Sequence, residues 1–279
     1  MSPDRPMAPT PLIVLGAGGR MGRRIIALAD AASGARIAAA VEIAGSHLIG
    51  KDAGELAGVA ALGVPVVTDF DEAIAAAGPG AVAVDFTVPE AAMDHARHAA
   101  TTSTPIVIGT TGLSREQRDE LQSLSSRTAL LVSANMSVGV NVLLGLVGEA
   151  VRKLGPAFDI EIVEVHHNKK KDAPSGTALA LAEAAASAAG LDPASSLRLS
   201  REGTSAERRP GEISVVALRG GDNVGEHTVM LLGTGERVEL VHRASSRDCL
   251  ATGAVRAGAW LGGKPPGLYS MKDVLGLPA

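Results

Sequence analysis

Aromatic side chains are almost missing. Phe70, Phe86, Phe158, Trp260 and Tyr269 are the whole set in 279 residues. Proteins that bind single-stranded nucleic acid by stacking bases on rings need more of them. Cysteine is nearly absent too: the lone Cys249 excludes an intrachain disulfide framework and a paired-cysteine metal site, and it fits a reducing compartment. Positive charge has no surplus, since 26 Lys and Arg stand against 30 Asp and Glu, for a formal net charge of -4. Such a chain offers no general basic field to DNA or to an anionic membrane surface. Apolar runs are short, and none reaches the roughly 20 residues that span a bilayer. The stretch Met1–Pro11 holds four prolines and no apolar signal-peptide core, so it is expected to be a disordered tail. A cytoplasmic protein with neither nucleic acid nor membrane among its partners is the expectation.

What is present is a regular alternation. Short apolar runs at Pro11–Gly16, Arg36–Glu42, Ala81–Phe86, Pro105–Gly109 and Ala129–Ala134 read as strands. Between them, Met21–Ala31, Asp71–Ala77, Pro89–Ala100 and Ser114–Ser125 read as helices. Strand–helix alternation of this kind predicts a parallel sheet covered on both faces. The pattern changes after a helix at about Val140–Leu154. Phe158–His167 alternates apolar with polar residues, an Ala-rich helix spans about Ser175–Ala189, and Asp192–Gly211 reads as loop. Three strands then follow without helices between them, at about Ile213–Arg219, Glu226–Leu232 and Arg237–Arg243, which predicts an open mixed or antiparallel sheet. A last helix at about Ser246–Leu261 can return to the first part of the chain. The fold class is therefore α/β: a Rossmann-like parallel-sheet domain plus a smaller α+β domain with an open mixed sheet.

The run Gly16-Ala17-Gly18-Gly19-Arg20-Met21-Gly22 sits between the first strand and the first helix. Glycines there let backbone approach a pyrophosphate at the helix start. The spacing fits a GxxGxxG variant through Gly16, Gly19 and Gly22 rather than the standard fingerprint, and a plain Gly-rich turn is the bland alternative. Glu42 ends the second strand, where an acid can accept hydrogen bonds from ribose hydroxyls. Three polar clusters end other strands: Asp85-Phe86-Thr87, Gly109-Thr110-Thr111-Gly112 and Ser133-Ala134-Asn135-Met136. Ligands of open parallel sheets bind outside the carboxyl ends of the strands, so three clusters at one edge are hard to attribute to turn chemistry alone.

The most informative run is His166-His167-Asn168-Lys169-Lys170-Lys171-Asp172-Ala173-Pro174-Ser175-Gly176-Thr177. Two histidines end a strand, lysines follow, and Ser-Gly-Thr opens a helix whose free amides at Ser175–Thr177 are expected to bind an anion. Together they suit an anionic substrate that is protonated during reaction. A solvated lysine-rich loop before an ordinary helix cap is the alternative. His95 and His98 lie three apart on one helix and are expected to form a solvated face, because no further cysteine or acid pattern completes a metal site. Arg219–His227 reads first as a connection between strands.

These residues carry a resemblance. Glu164-Val165-His166-His167 followed by Lys170, Asp172 and Pro174-Ser175-Gly176-Thr177 resembles the dihydrodipicolinate reductase family, as do Val224-Gly225-Glu226-His227 and Ala244-Ser245-Ser246-Arg247. The likeness runs from about Leu12 to Leu275. It implies a dinucleotide-binding domain at 1–137 with 247–279, and a substrate-binding and tetramerisation domain at 138–246. It implies reduction of the cyclic imine derived from 4-hydroxy-tetrahydrodipicolinate, a dicarboxylate of the diaminopimelate route to lysine, by NADH or NADPH. His166 and Lys170 would be catalytic, and His167, Ser175, Gly176 and Thr177 would bind substrate. Gly16, Ala17, Gly18, Gly19, Arg20, Met21, Glu42, Gly109, Thr110, Thr111, Ser133, Ala134, Asn135 and Met136 would bind the cofactor, with no metal. Ile43 and Val88 stand where members that accept NADPH carry arginine, so NADH is the expected preference. Another Rossmann oxidoreductase, or a regulator that binds NAD(H) without turnover, would share the glycine loop but not the His166–Thr177 run.

Overall fold

The computed structural model describes residues 8–29 and 33–277. Most of the expected tail, and the end of the first expected helix, lie outside the described residues. Thr10 and Pro11 do not belong to a tail: they open the first strand, paired with Ala35 and Arg36. The chain divides into two compact units, one of residues up to Val138 with Asp248–Leu277, the other Gly139–Arg247.

The first unit is built on seven parallel strands: β1 Thr10–Leu15, β2 Ala35–Val41, β3 Val66–Val67, β4 Val82–Asp85, β5 Ile106–Ile108, β6 Ala129–Val132 and, after the second unit, β12 Gly267–Tyr269. Their spatial order is β12-β6-β5-β4-β1-β2-β3, with β4 central and β1 beside it. Helices α1 Arg20–Leu28, α2 Ala53–Ala57, α3 Phe70–Ala77, α4 Pro89–Thr102, α5 Arg115–Leu124, α9 Asp248–Leu261 and α10 Met271–Leu275 accompany them. Side chains alternate along a strand, so β1 feeds both layers. Leu12 and Val14 pack with Ile25 and Ile26 of α1 and Ala254, Val255 and Leu261 of α9. Ile13 and Leu15 pack with Phe70 and Ala73 of α3, Met93 and Ala96 of α4 and Leu121 of α5. The short elements α2, β3, β12 and α10 do not show in the sequence pattern. Two to five residues carry no measurable period, and these elements exist because their neighbours supply ladder and cover.

The second unit contains α6 Val138–Leu154 beyond its first residue, β7 Asp159–His166, α7 Gly176–Ala189, α8 Pro193–Ser196, β8 Leu197–Arg198, β9 Ile213–Arg219, β10 Gly225–Leu232 and β11 Arg237–Ala244. The stretch expected to be loop at Asp192–Gly211 thus holds α8, capped by the Asp192 side chain, and β8. The five strands order as β11-β10-β7-β9-β8, antiparallel at β11/β10 and β10/β7 and parallel at β7/β9 and β8/β9. Leu143 and Val147 of α6 and Leu181, Ala182 and Ala185 of α7 cover one face, against Ile160, Ile162, Val215, Val229 and Leu231. The other face leaves Val216, Leu218 and Val241 39–48% exposed. No helix among the described residues is long and apolar enough to cross a membrane.

Candidate active site

In the first unit every strand is parallel, so the loops after β1, β2, β4, β5 and β6 share one edge. Gly16, Glu42, Phe86, Gly109 and Ser133 are the first residues past those strands. Gly16 has φ +71°, the left-handed region that suits glycine. A Cβ on Gly22 would lie 2.3 Å from the Gly16 carbonyl oxygen, so α1 packs against its own loop only because position 22 has no side chain. The amides of Gly16 and Ala17 donate to the Val41 carbonyl, that of Gly19 to Gly16, and that of Gly18 to Glu42 Oε2 at 2.7 Å. Glu42 Oε1 accepts from the Ile43 amide at 3.0 Å. The loop's own donors are therefore spent internally. The amides left for an anion are those of Arg20, Met21 and Gly22, the first turn of α1, whose N-cap residue Gly19 supplies no side-chain cap.

Asp85 is fully buried and ties the neighbouring loops together. Its Oδ1 accepts from the Thr87 amide and hydroxyl, both at 2.7 Å, and from Thr110 Oγ1 at 3.4 Å, while Thr110 also donates to the Thr87 carbonyl at 3.1 Å. Its Oδ2 lies 2.6 Å from His95 Nδ1. His98 Nε2 lies 2.7 Å from Asp71 Oδ1. His95 departs from the expected solvated face, since its ring is anchored to a buried carboxylate, whereas the His98–Asp71 pair lies at the surface. A helix period places a ring on a face but not the strand-end acid it meets. Ala134 and Thr111 are exposed, and Ser133 and Asn135 are half-buried. Met136 and Ala17 differ from the expectation that the whole segment faces a ligand, because their side chains are core, 1% and 0% exposed.

In the second unit the alternation of β7 continues from core into chemistry. Ile160, Ile162, Glu164 and His166 all point to the covered face, and Glu164 is completely buried. Glu164 Oε1 accepts from the Ser175 amide at 3.0 Å and from Arg219 at 2.9 Å; Oε2 accepts from Arg219 at 2.9 Å and pairs with His166 Nδ1. Burial alone would raise the Glu164 carboxyl, but Arg219, His166 and the Ser175 amide outweigh it and hold it below its ordinary value. His166 is lowered, chiefly by burial, with Lys170 and Arg219 adding to it and Glu164 opposing. Its ring meets that of His227 edge to face, with centroids 5.2 Å apart. Burial, then the neighbouring His166, lowers His227 to about 4. A Cβ at Gly225 would lie 2.9 Å from His166 Nε2, so glycine there keeps that nitrogen uncovered by a side chain.

Two expectations change here. The Ser175 amide is not free for an anion, because Glu164 takes it, while the Ser175 hydroxyl caps the Ala178 amide at 3.2 Å and meets His227 Nε2 at 3.2 Å. The exposed first-turn residue of α7 is Gly176, with Thr177 half-buried beside it. Lys170 is paired, its Nζ 2.8 and 2.7 Å from the Asp172 oxygens, and this pairing holds the Asp172 carboxyl below its ordinary value. His167 is half-buried, and its carbonyl accepts from the Lys170 amide. Arg219 and His227, read from sequence as part of a connection, belong to this cluster, as does Glu164. The signal was available in part: a glutamate two residues before a strand-end histidine shares its face. Arg219 carries no such signal, because its register opposite His166 is a property of the β7/β9 pairing. Among the described residues no group of three or more His, Cys, Asp and Glu is placed to hold a metal ion.

Comparison with known proteins agrees with this layout. Residues 10–136 match the dihydrodipicolinate reductase N-terminus profile and residues 139–275 the C-terminus profile. The 4-hydroxy-tetrahydrodipicolinate reductase of Anaeromyxobacter dehalogenans strain 2CP-1 is 51% identical over 268 residues, 96% of this chain and 98% of that protein. The protein of the same name from Halorhodospira halophila is 47% identical over 264 residues, 95% and 98% of the two chains. The dipicolinate-bound dihydrodipicolinate reductase of Paenisporosarcina sp. TG-14 shares the fold, with a TM-score of 0.73 at 21% identity over 94% of this chain and 97% of that one. With both halves matched and half of all positions identical to a full-length relative, the chain belongs to the dihydrodipicolinate reductase family.

Proposed function

We propose that this protein is a nicotinamide-dependent reductase acting on the dicarboxylic cyclic imine derived from 4-hydroxy-tetrahydrodipicolinate, with product tetrahydrodipicolinate. The buried Glu164–His166 pair beside the first turn of α7 carries this reading, because it presents a proton donor next to an anion-binding helix start. Bound NADH or NADPH supplies the hydride. The first unit holds that cofactor: the first turn of α1 takes the pyrophosphate, and Glu42 takes the adenosine ribose. The second unit holds the substrate, with Gly176, Thr177 and His167 at its carboxylates. Hydride addition builds negative charge on the ring, and His166 quenches it by donating a proton. Lys170 stabilises the charge or orients a carboxylate, which requires it to exchange Asp172 for substrate. The enzyme is cytoplasmic, in keeping with its single cysteine.

NADH should be oxidised when 4-hydroxy-tetrahydrodipicolinate is supplied and not otherwise; no oxidation with that compound would overturn the reading. His166→Gln and Lys170→Ala should each lower turnover by roughly two orders of magnitude, the scale of a general acid, with NADH binding unchanged. Near-normal turnover in either purified variant removes that residue from the mechanism.

NADH is used better than NADPH. The Glu42 carboxylate favours a free 2′-hydroxyl and repels a 2′-phosphate. Neither the adjacent Ile43 nor Val88, in the loop after β4, 76% and 61% exposed, carries a guanidinium to offset that repulsion. Ile43→Arg should raise kcat/KM with NADPH, and Glu42→Ala should weaken NADH binding. A clear NADPH preference in the unaltered enzyme would sink the idea.

A further inference from the structure

His166 does not meet Glu164 alone. The same carboxylate is gripped by both terminal nitrogens of Arg219, at 2.9 Å each, and by the Ser175 amide at 3.0 Å. Arg219 also donates to the Asp172 carbonyl at 2.6 Å, so it joins β7, β9 and the loop before α7. We propose that Glu164 is the positioning residue that holds His166 with Nε2 as its donating nitrogen, and that Arg219, acting through Glu164, sets the pH range over which His166 delivers its proton. The proposal rests on the reading of His166 as the proton donor.

The geometry supplies the reason. Glu164 accepts at Nδ1, which commits that nitrogen to the strand and leaves Nε2 on the side that Gly225 keeps open. A buried carboxylate facing an imidazole alone would favour the imidazolium strongly and make it a reluctant acid. A carboxylate already forked to a guanidinium keeps the hydrogen bond but presents much less net charge. Without Glu164 the balance tips the other way. The groups then facing the ring are Lys170 on the following loop, Arg219 on β9 and His227 on β10, with His242 of β11 behind His227 at 6.5 Å between centroids. Asp172 is the other acid nearby, and it is paired with Lys170. Burial and the Lys170 and Arg219 cations disfavour the imidazolium. Glu164 and Arg219 therefore act on His166 with opposite sign, and their fork places its proton affinity between two extremes.

The test is the pH dependence of kcat/KM in the full-length enzyme, read on the alkaline limb where activity falls as the donor loses its proton. Glu164→Gln should move that limb to lower pH by about one unit or more and lower kcat about tenfold or more, with substrate KM changed only a few-fold. Arg219→Met should move the limb to higher pH by a similar amount. Arg219→Lys, which keeps the charge but loses the fork, should restore most of the original position. Limbs that stay in place, or that move in the same direction in Glu164→Gln and Arg219→Met, overturn the proposal. Should Glu164→Gln lose its cooperative thermal transition, the two Arg219 variants decide the question by the same limb. His166→Gln separates this idea from the reading beneath it. If that variant keeps normal turnover, His166 is not the donor; if it is inactive while the other limbs do not move, His166 is the donor and Glu164 and Arg219 do not tune it.

Discussion

His227 shows how one buried residue makes a whole unit sensitive to acid. Its ring is 4% exposed, packed on His166, and it titrates at about 4 rather than 6.5. The unfolded chain binds this proton at a higher pH than the folded one. Stability therefore falls as pH drops from about 6.5 to about 4, by at most about 3 kcal/mol from this group. His166, shifted in the same direction, adds to the loss. Urea unfolding at a series of pH values should show that decline, and His227→Gln should flatten it. An unaltered protein equally stable at pH 7 and pH 4.5 would contradict the assignment. The same scale explains the glycine loop, where the residues that matter are defined by what a Cβ would strike rather than by any side chain.

At the scale of elements, α7 joins the fold to the site. Its Ala-rich inner face packs under β7 and β9, and its Gly190 end adopts the left-handed cap. Its start is set by Ser175, whose hydroxyl accepts from the Ala178 amide while its own amide serves Glu164. Ser175→Ala should cost about 0.5–2 kcal/mol through the lost cap, leave the Glu164 contact to the backbone intact, and so lower Tm more than kcat. A variant with unchanged Tm and abolished turnover would instead make the hydroxyl part of the chemistry. Strand β7 makes the companion point. A shift of one residue in its pairing would expose Glu164 and His166 and bury Val163 and Val165, so register decides whether a site exists at all.

For the whole molecule, the bare face of the second unit's sheet matters most. Val163, Val165, Val216, Leu218, Thr228 and Val241 stand in register across β11, β10, β7 and β9 on the side away from α6 and α7. An exposed apolar row of this kind marks an interaction surface, and identical chains meeting through it form closed, symmetric assemblies. We propose a homotetramer built on this face. Sedimentation should give four times the chain mass, and Leu218→Glu should shift the enzyme to smaller species. A wild-type chain that sediments as a monomer at enzyme-assay concentrations would refute it.

Local pattern and local chemistry were enough to settle much of this protein. Alternating apolar runs and helix periods announced the parallel sheet, because each layer needs its own stripe of apolar residues. Glycine spacing and Glu42 pointed to the sheet edge where the strand-end loops gather, and the run from His166 to Thr177 pointed to the end of β7, where a buried Glu164–His166 pair lies. Those signals are written within a few residues of one another, at the distance over which periodicity and capping act. What only tertiary structure decided are the meetings between residues far apart in the chain. His95 finds Asp85, Arg219 and His227 find Glu164 and His166, and Met136 goes into the core. It also decided that the Ser175 amide and Lys170 arrive already paired, because strand register and loop closure, rather than residue identity, choose the partner of each buried polar group.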